Sequence, residues 1–102
     1  MSDLTVVDVP AQRRFEARDG DDLLGFVEYQ RTDELVVVTH TEVPQRHEGR
    51  GVGSALARGI LDDTRVRGLR ALVLCPFVIA WMARHPDYRD LDFKAAPRAE
   101  DG

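Results

Sequence analysis

Glycines occupy alternate positions 49, 51 and 53 in Glu48-Gly49-Arg50-Gly51-Val52-Gly53-Ser54, and they separate two segments of different period. Upstream, Leu35-Val36-Val37-Val38-Thr39-His40-Thr41-Glu42-Val43 is β-branched and reads as a buried strand that Pro44 ends. Downstream, Val52, Ala55, Leu56, Gly59 and Ile60 recur at helical spacing, with Arg65 and Arg67 near the end and Gly68 just past it. A strand that turns through glycines into a helix leaves that helix's first N–H groups unpaired and the positive end of its dipole facing outward. No acidic residue occupies positions 51 to 56, and Ser54 is followed three residues on by Ala57, so no capping box consumes those donors. An anion such as a phosphate is expected there.

The loop is not one of the common nucleotide loops. Lys94 is the only lysine in the chain, so the Gly-Lys-Ser/Thr ending of a hydrolase phosphate loop is missing. The dinucleotide spacing GxGxxG also fails, because Gly49 and Gly51 lead to Ser54, and Gly51 and Gly53 lead to Leu56.

The remaining chain is read around this junction. Residues 4 to 9 and 13 to 18 are expected to form two strands joined by Val9-Pro10-Ala11-Gln12, with Gly20-Asp21-Asp22 turning into a third at 23 to 30. Ala71-Leu72-Val73-Leu74-Cys75 reads as a short buried strand, and Pro76 starts a second helix through Arg84. Two strands separated by a helix should lie parallel. The expectation is an α/β (α+β) domain over residues 1–91, with a mixed, mostly antiparallel sheet of about five strands and two main helices. Residues 92–102 have little to bury and are expected to form a loose tail.

A chain of 102 residues with 43% hydrophobic content has material for one modest core. Its 18 acidic and 14 basic residues give a net charge of −4, which disfavours nucleic acid and favours a cationic partner. The apolar run 71 to 83 is shorter than the roughly 20 residues of a membrane span and is interrupted by Pro76, so no membrane role is expected. One cysteine permits no internal disulfide and the N-terminal residues show no secretory pattern, so a cytoplasmic setting is expected. The three histidines lack metal-ligand spacing, and no metal is implied.

Glu48 to Leu56 resembles the acyl-CoA pyrophosphate loop of the GNAT N-acetyltransferases, whose pattern is Arg/Gln-x-x-Gly-x-Gly/Ala opening a helix. Gly51 and Gly53 fall on its two glycines, and the resemblance extends over about residues 20 to 91 through Leu24 to Tyr29, Val38 to Val43, Leu74-Cys75-Pro76-Phe77 and Arg84-His85-Pro86-Asp87-Tyr88. It implies a truncated GNAT fold in which the last two strands are parallel and splayed, with acetyl-CoA held by Gly49, Arg50, Gly51, Val52, Gly53 and Ser54. The resemblance also implies that the pantetheine arm pairs with backbone at Thr41 to Val43. Glu48 stands where the family has Arg or Gln, and a carboxylate beside a pyrophosphate is unfavourable unless it turns away, so Glu48 is a poor candidate for a phosphate contact and Arg46, His47 and Arg50 could supply the positive charge instead. Full-length family members insert one or two helices between the first two strands to build part of the acceptor pocket. Val9 to Gln12 is too short for that, so the acceptor side is expected to be open to a protein surface or completed by a second subunit.

Acetyl transfer to an amine needs a base to remove a proton from the ammonium. His40 and Glu42, two apart on a strand and about 6 to 7 Å apart along it, would share a face if no bulge intervenes, and either is a candidate. A bulge, frequent in this strand of the family, would break that parity. Cys75 is either a small core residue or a nucleophile activated by His40 that carries the acetyl group covalently. Tyr88 matches the tyrosine that protonates the departing thiolate in many relatives, or else it packs its ring. The leading expectation is an acetyl-CoA-dependent N-acetyltransferase acting on a primary amine by direct transfer, as a monomer or homodimer. Its rival is a non-catalytic acyl-CoA sensor, because a cradle for phosphate shows binding and not turnover.

Overall fold

The computed structural model describes residues 4–94. Five strands form one sheet in the order β1-β2-β3-β4-β5, with β1 Leu4–Val9, β2 Arg14–Asp19, β3 Asp22–Arg31, β4 Leu35–Glu42 and β5 Arg70–Val73. The first four run antiparallel to their neighbours, and β5 lies parallel to β4 because helix α1, Val52–Val66, carries the chain back between them. A shorter helix α2, Pro76–Ala83, follows. The expected mixed sheet and two helices are therefore observed, with boundaries moved by a residue or two.

Local chemistry explains the junctions. Gly20 turns β2 into β3 at a φ of 61°, a left-handed conformation that glycine adopts without steric cost. Gly68, at φ 72°, ends α1: its N–H donates to the Arg65 carbonyl while the Leu69 N–H reaches back to Thr64, the paired bonds of a Schellman motif.

The sheet has two unlike faces. One is covered by α1, whose buried Val52, Leu56, Ala57, Ile60, Leu61 and Thr64 meet Phe15, Ala17, Val27, Val36 and Val38 in the core. Thr64 is wholly buried and donates its hydroxyl to the Ile60 carbonyl at 2.7 Å, which satisfies it within the helix. Two glycines sit where there is no room for a side chain. A Cβ on Gly25 would lie 2.8 Å from the Glu42 carbonyl oxygen, and one on Gly59 would lie 2.8 Å from Val6. At the rim of this face the Tyr29 hydroxyl donates to Asp8 at 2.5 Å, and Arg31 bridges Asp8 and Asp63, tying β1, β3 and α1 together. Burial, then the Asp8 hydrogen bond, pushes the Tyr29 hydroxyl up to about 12.

The other face of β1 to β4 carries Val7, Arg14, Glu16, Arg18, Phe26, Glu28, His40 and Glu42, and no helix among the described residues packs on it. Glu16 is nevertheless buried, because the Arg14 and Arg18 guanidiniums close over it at 2.7 Å each. Desolvation is the largest single influence on its carboxyl and pushes it up. The two arginine hydrogen bonds and charges together outweigh that and hold it below the ordinary carboxylate value.

A loose tail was expected from residue 92 on. Asp92 bridges to Ala71 of β5 and the Phe93 N–H donates to the Ala71 carbonyl at 2.7 Å, so the chain is still attached to the sheet edge at residues 92 and 93. Residues 95–102 of that expectation lie outside the described residues. No helix among the described residues is long and apolar enough to cross a membrane.

Candidate active site

Pairing between β4 and β5 stops at Val38 and Val73. Beyond it the N–H groups of both Leu74 and Cys75 converge on the Val38 carbonyl, at 2.9 and 3.3 Å, while β4 runs on to Glu42 paired only with β3. The two parallel strands therefore separate where the resemblance placed a splay. One side of the β4 backbone past Val38 is left without a neighbouring strand.

A cleft of 390 Å³ lies at the end of β4, lined by Thr41, Val43, His47, Glu48, Gly49, Gly51, Val52, Gly53, Ser54 and Phe77. Its size falls in the range of small-molecule sites. Gly49 and Gly51 have φ of 85° and 77°, which an L side chain rarely adopts, and Gly51 is the N-cap of α1. No side chain caps that helix and no acidic residue sits in its first turn. Gly51, Val52, Gly53 and Ser54, at the start of that helix, line the cleft.

Gly53 has a different job from its neighbours. A Cβ there would lie 2.6 Å from the Phe77 ring, so the missing side chain makes space for an aromatic wall of the cleft. Phe77 did not figure among the residues expected at the site. The available signal was the composition of Pro76-Phe77-Val78-Ile79-Ala80-Trp81-Met82-Ala83, which is apolar all round where a surface helix would show a polar stripe. The Ser54 hydroxyl accepts the Trp81 indole N–H at 2.8 Å, which anchors the first turn of α1 to α2.

The charged candidates are arranged differently from expectation. His47 lines the cleft, but Arg46 and Arg50 do not. Arg50 is drawn to His47 Nδ1 at 3.3 Å and to Asp19 at 3.4 Å, because a carboxylate on β2 lies within reach of its long side chain. Glu48 contributes to the lining.

The candidate base pair keeps its parity. A bulge does occur in β4, since Glu28 faces His40 while Tyr29 faces Val38, leaving Thr39 as the extra residue. It falls before His40, so His40 and Glu42 still share the open face, with Nε2 3.3 Å from Oε1. Thr41 between them points to the helix side, where the Cys75 thiol donates to its hydroxyl at 3.2 Å. His40 and Cys75 are thus directed to opposite sides of one strand, and the thiol is buried. Tyr88 is not part of the cleft lining. Its hydroxyl donates to Asp62 at 2.6 Å and accepts from Arg58 at 3.3 Å, and its ring packs 5.2 Å from Trp81. The Asp62 hydrogen bond, followed by burial, pushes that hydroxyl above its ordinary value.

Comparisons with known proteins bear on the fold and the family. The solution structure of a GCN5-like protein from Staphylococcus aureus superposes with a TM-score of 0.69 at 21% identity over the whole of both chains. The crystal structure of ribosomal-protein-alanine N-acetyltransferase from Brucella melitensis biovar Abortus 2308 matches with a TM-score of 0.57 at 22% identity, over 84% of this chain and 64% of that one. A curated relative, Protein NATD1 of Bos taurus, is 36% identical over 52 residues, which are 51% of this chain and 46% of the relative. The aligned stretch thus spans about half of each. The profile of the GCN5-related N-acetyl-transferase family matches residues 14–91, so the chain belongs to that family.

Proposed function

We propose that this chain transfers an acetyl group from acetyl-CoA to a primary amine by direct attack. The observation that carries the reading is the uncapped, acid-free first turn of α1 opening onto a 390 Å³ cleft beside the gap between β4 and β5. The amides of Val52, Gly53 and Ser54 would hold the coenzyme's diphosphate, with His47 adding positive charge when protonated. The unpaired edge of β4 offers backbone groups at Thr41 and Val43 to the pantetheine amides. The thioester supplies an activated acyl carbon.

The remaining steps fall to this chain's residues. An ammonium arriving on the open face meets Glu42 and His40, 3.3 Å from each other, and one of them takes its proton. The freed amine then attacks the acyl carbon, a C–N bond forms, and the C–S bond breaks to release the thiolate, which takes up a proton. Cys75 acts here as a packing residue hydrogen-bonded to Thr41, and Tyr88 as a brace between α1 and the segment after α2.

Calorimetry with coenzyme A and release of free thiol from acetyl-CoA over a panel of amines test the reading together. Binding with turnover of at least one amine is expected. Tight binding with no amine turned over would favour the sensor, and absence of binding would remove both.

A further inference from the structure

The uncovered sheet face has charges that its own residues leave unanswered. Arg14 sits opposite Glu28 across β2 and β3, but its guanidinium turns the other way, 2.7 Å from Glu16 and 4.5 Å over the Phe26 ring. Glu28 therefore has no cationic partner among the described residues. Its cross-strand neighbour on β4 is His40, and beyond His40 lies Glu42, more than half exposed and paired among the described residues with the imidazole alone. Phe26 lies next to this group, with its ring 6.3 Å from that of His40. Two carboxylates thus bracket the candidate base, and an apolar ring adjoins them.

The shape of the surroundings limits what can fill that space. Sites for small molecules bury most of the ligand in a concavity, whereas here the face is open over four strands. Three strand spacings make it about 14 Å wide, the length of about four extended residues. A free small amine would be held from one side only. A chain lying across the face would instead hold one amine at His40 through contacts made by its neighbours.

Resting on the acetyltransferase reading above, we infer that the acceptor is a lysine in an extended, basic segment of another protein, with Glu28 as a residue that positions the incoming cation. The lysine ammonium would lie between Glu28 and Glu42, beside His40. Basic residues flanking the lysine would find a chain whose net charge is −4.

The test compares three acceptors with acetyl-CoA: a short peptide with one lysine flanked by arginines, the same peptide with glutamines for the arginines, and free spermidine. The arginine peptide should have about tenfold higher kcat/KM than either of the others, and added salt should erase most of that advantage. Glu28→Gln should raise the peptide KM about threefold with kcat and coenzyme A affinity unchanged, and Glu28→Asp should restore most of it. Spermidine used as well as the arginine peptide, or a peptide KM indifferent to Glu28→Gln, would overturn the inference while leaving acetyl transfer intact. Coenzyme binding without turnover of any acceptor would instead defeat the reaction on which the inference rests.

Discussion

The two faces of one sheet are held in place by different physics. On the α1 side, position is set by volume: Leu61, Ile60 and Leu56 are essentially inaccessible, and Gly25 and Gly59 exist because backbone and Val6 already occupy the space of their side chains. On the open side, position is set by charge. Glu16 is buried without any helix above it, because Arg14 and Arg18 fold over it from the same strand. Apolar packing draws on many neighbours and has no direction, whereas the arginine clamp depends on two partners with defined geometry. The lesson is that a small domain can leave one face of its sheet uncovered, provided that the covered face supplies the stability.

Truncating the core should therefore give the largest effect. Leu61→Ala removes a fully buried side chain between α1 and the sheet and should destabilise the domain by about 3 kcal/mol, measured by urea denaturation followed through Trp81 fluorescence. A loss below about 1 kcal/mol would mean that the helix-covered half is not what holds the molecule together.

The clamp on the open face should give less, with a signature that packing does not share. Glu16→Gln leaves two partly exposed guanidiniums without a carboxylate and should cost about 2 kcal/mol at neutral pH. Because the folded state holds the Glu16 carboxyl below its reference value of 4.5, its contribution is present above that pH and is lost as pH falls through the lower folded value. Wild type should consequently lose stability on acidification more steeply than Glu16→Gln, and the two curves should approach each other in acid. Parallel curves would assign the burial of Glu16 to packing alone.

How much of this was legible in the sequence follows the same division. The strand runs, the α1 stripe and the Gly68 stop depend on residues close in the chain, and they appear where local pattern placed them. The glycine turn into α1 is readable for the same reason, since Gly49, Gly51 and the absence of acid in the first turn are all local features. What escaped depends on partners distant in sequence. Nothing near Gly53 announces the Phe77 ring and nothing near Arg50 announces Asp19, while Arg14 closes over Glu16, two residues along its own strand, rather than Glu28 opposite it, a choice of rotamer. The bulge at Thr39 was anticipated as a possibility in β4, but which side of His40 it falls on decides whether His40 and Glu42 meet, and only the pairing register with β3 gives that.

The smallest expected effect separates two roles for one hydroxyl. Tyr88 donates to Asp62 and accepts from Arg58 behind the Trp81 ring, on the covered side of the sheet and outside the cleft lining. Replacing it with phenylalanine keeps the ring and deletes two hydrogen bonds at a partly buried rim, a loss of about 1 kcal/mol. If the hydroxyl only braces α1, Tyr88→Phe should leave kcat within about twofold of wild type, a difference of about 0.4 kcal/mol in the barrier, and should not change the shape of its pH profile. If it protonates the departing thiolate, kcat should fall by about a hundredfold or more and the alkaline limb of the profile should disappear with the tyrosine. The raised affinity of this hydroxyl for its proton follows from Asp62 at 2.6 Å, a contact that occupies the same proton an acid would have to release. A tyrosine already committed to a carboxylate is better placed to hold a helix than to serve a cleft it does not line.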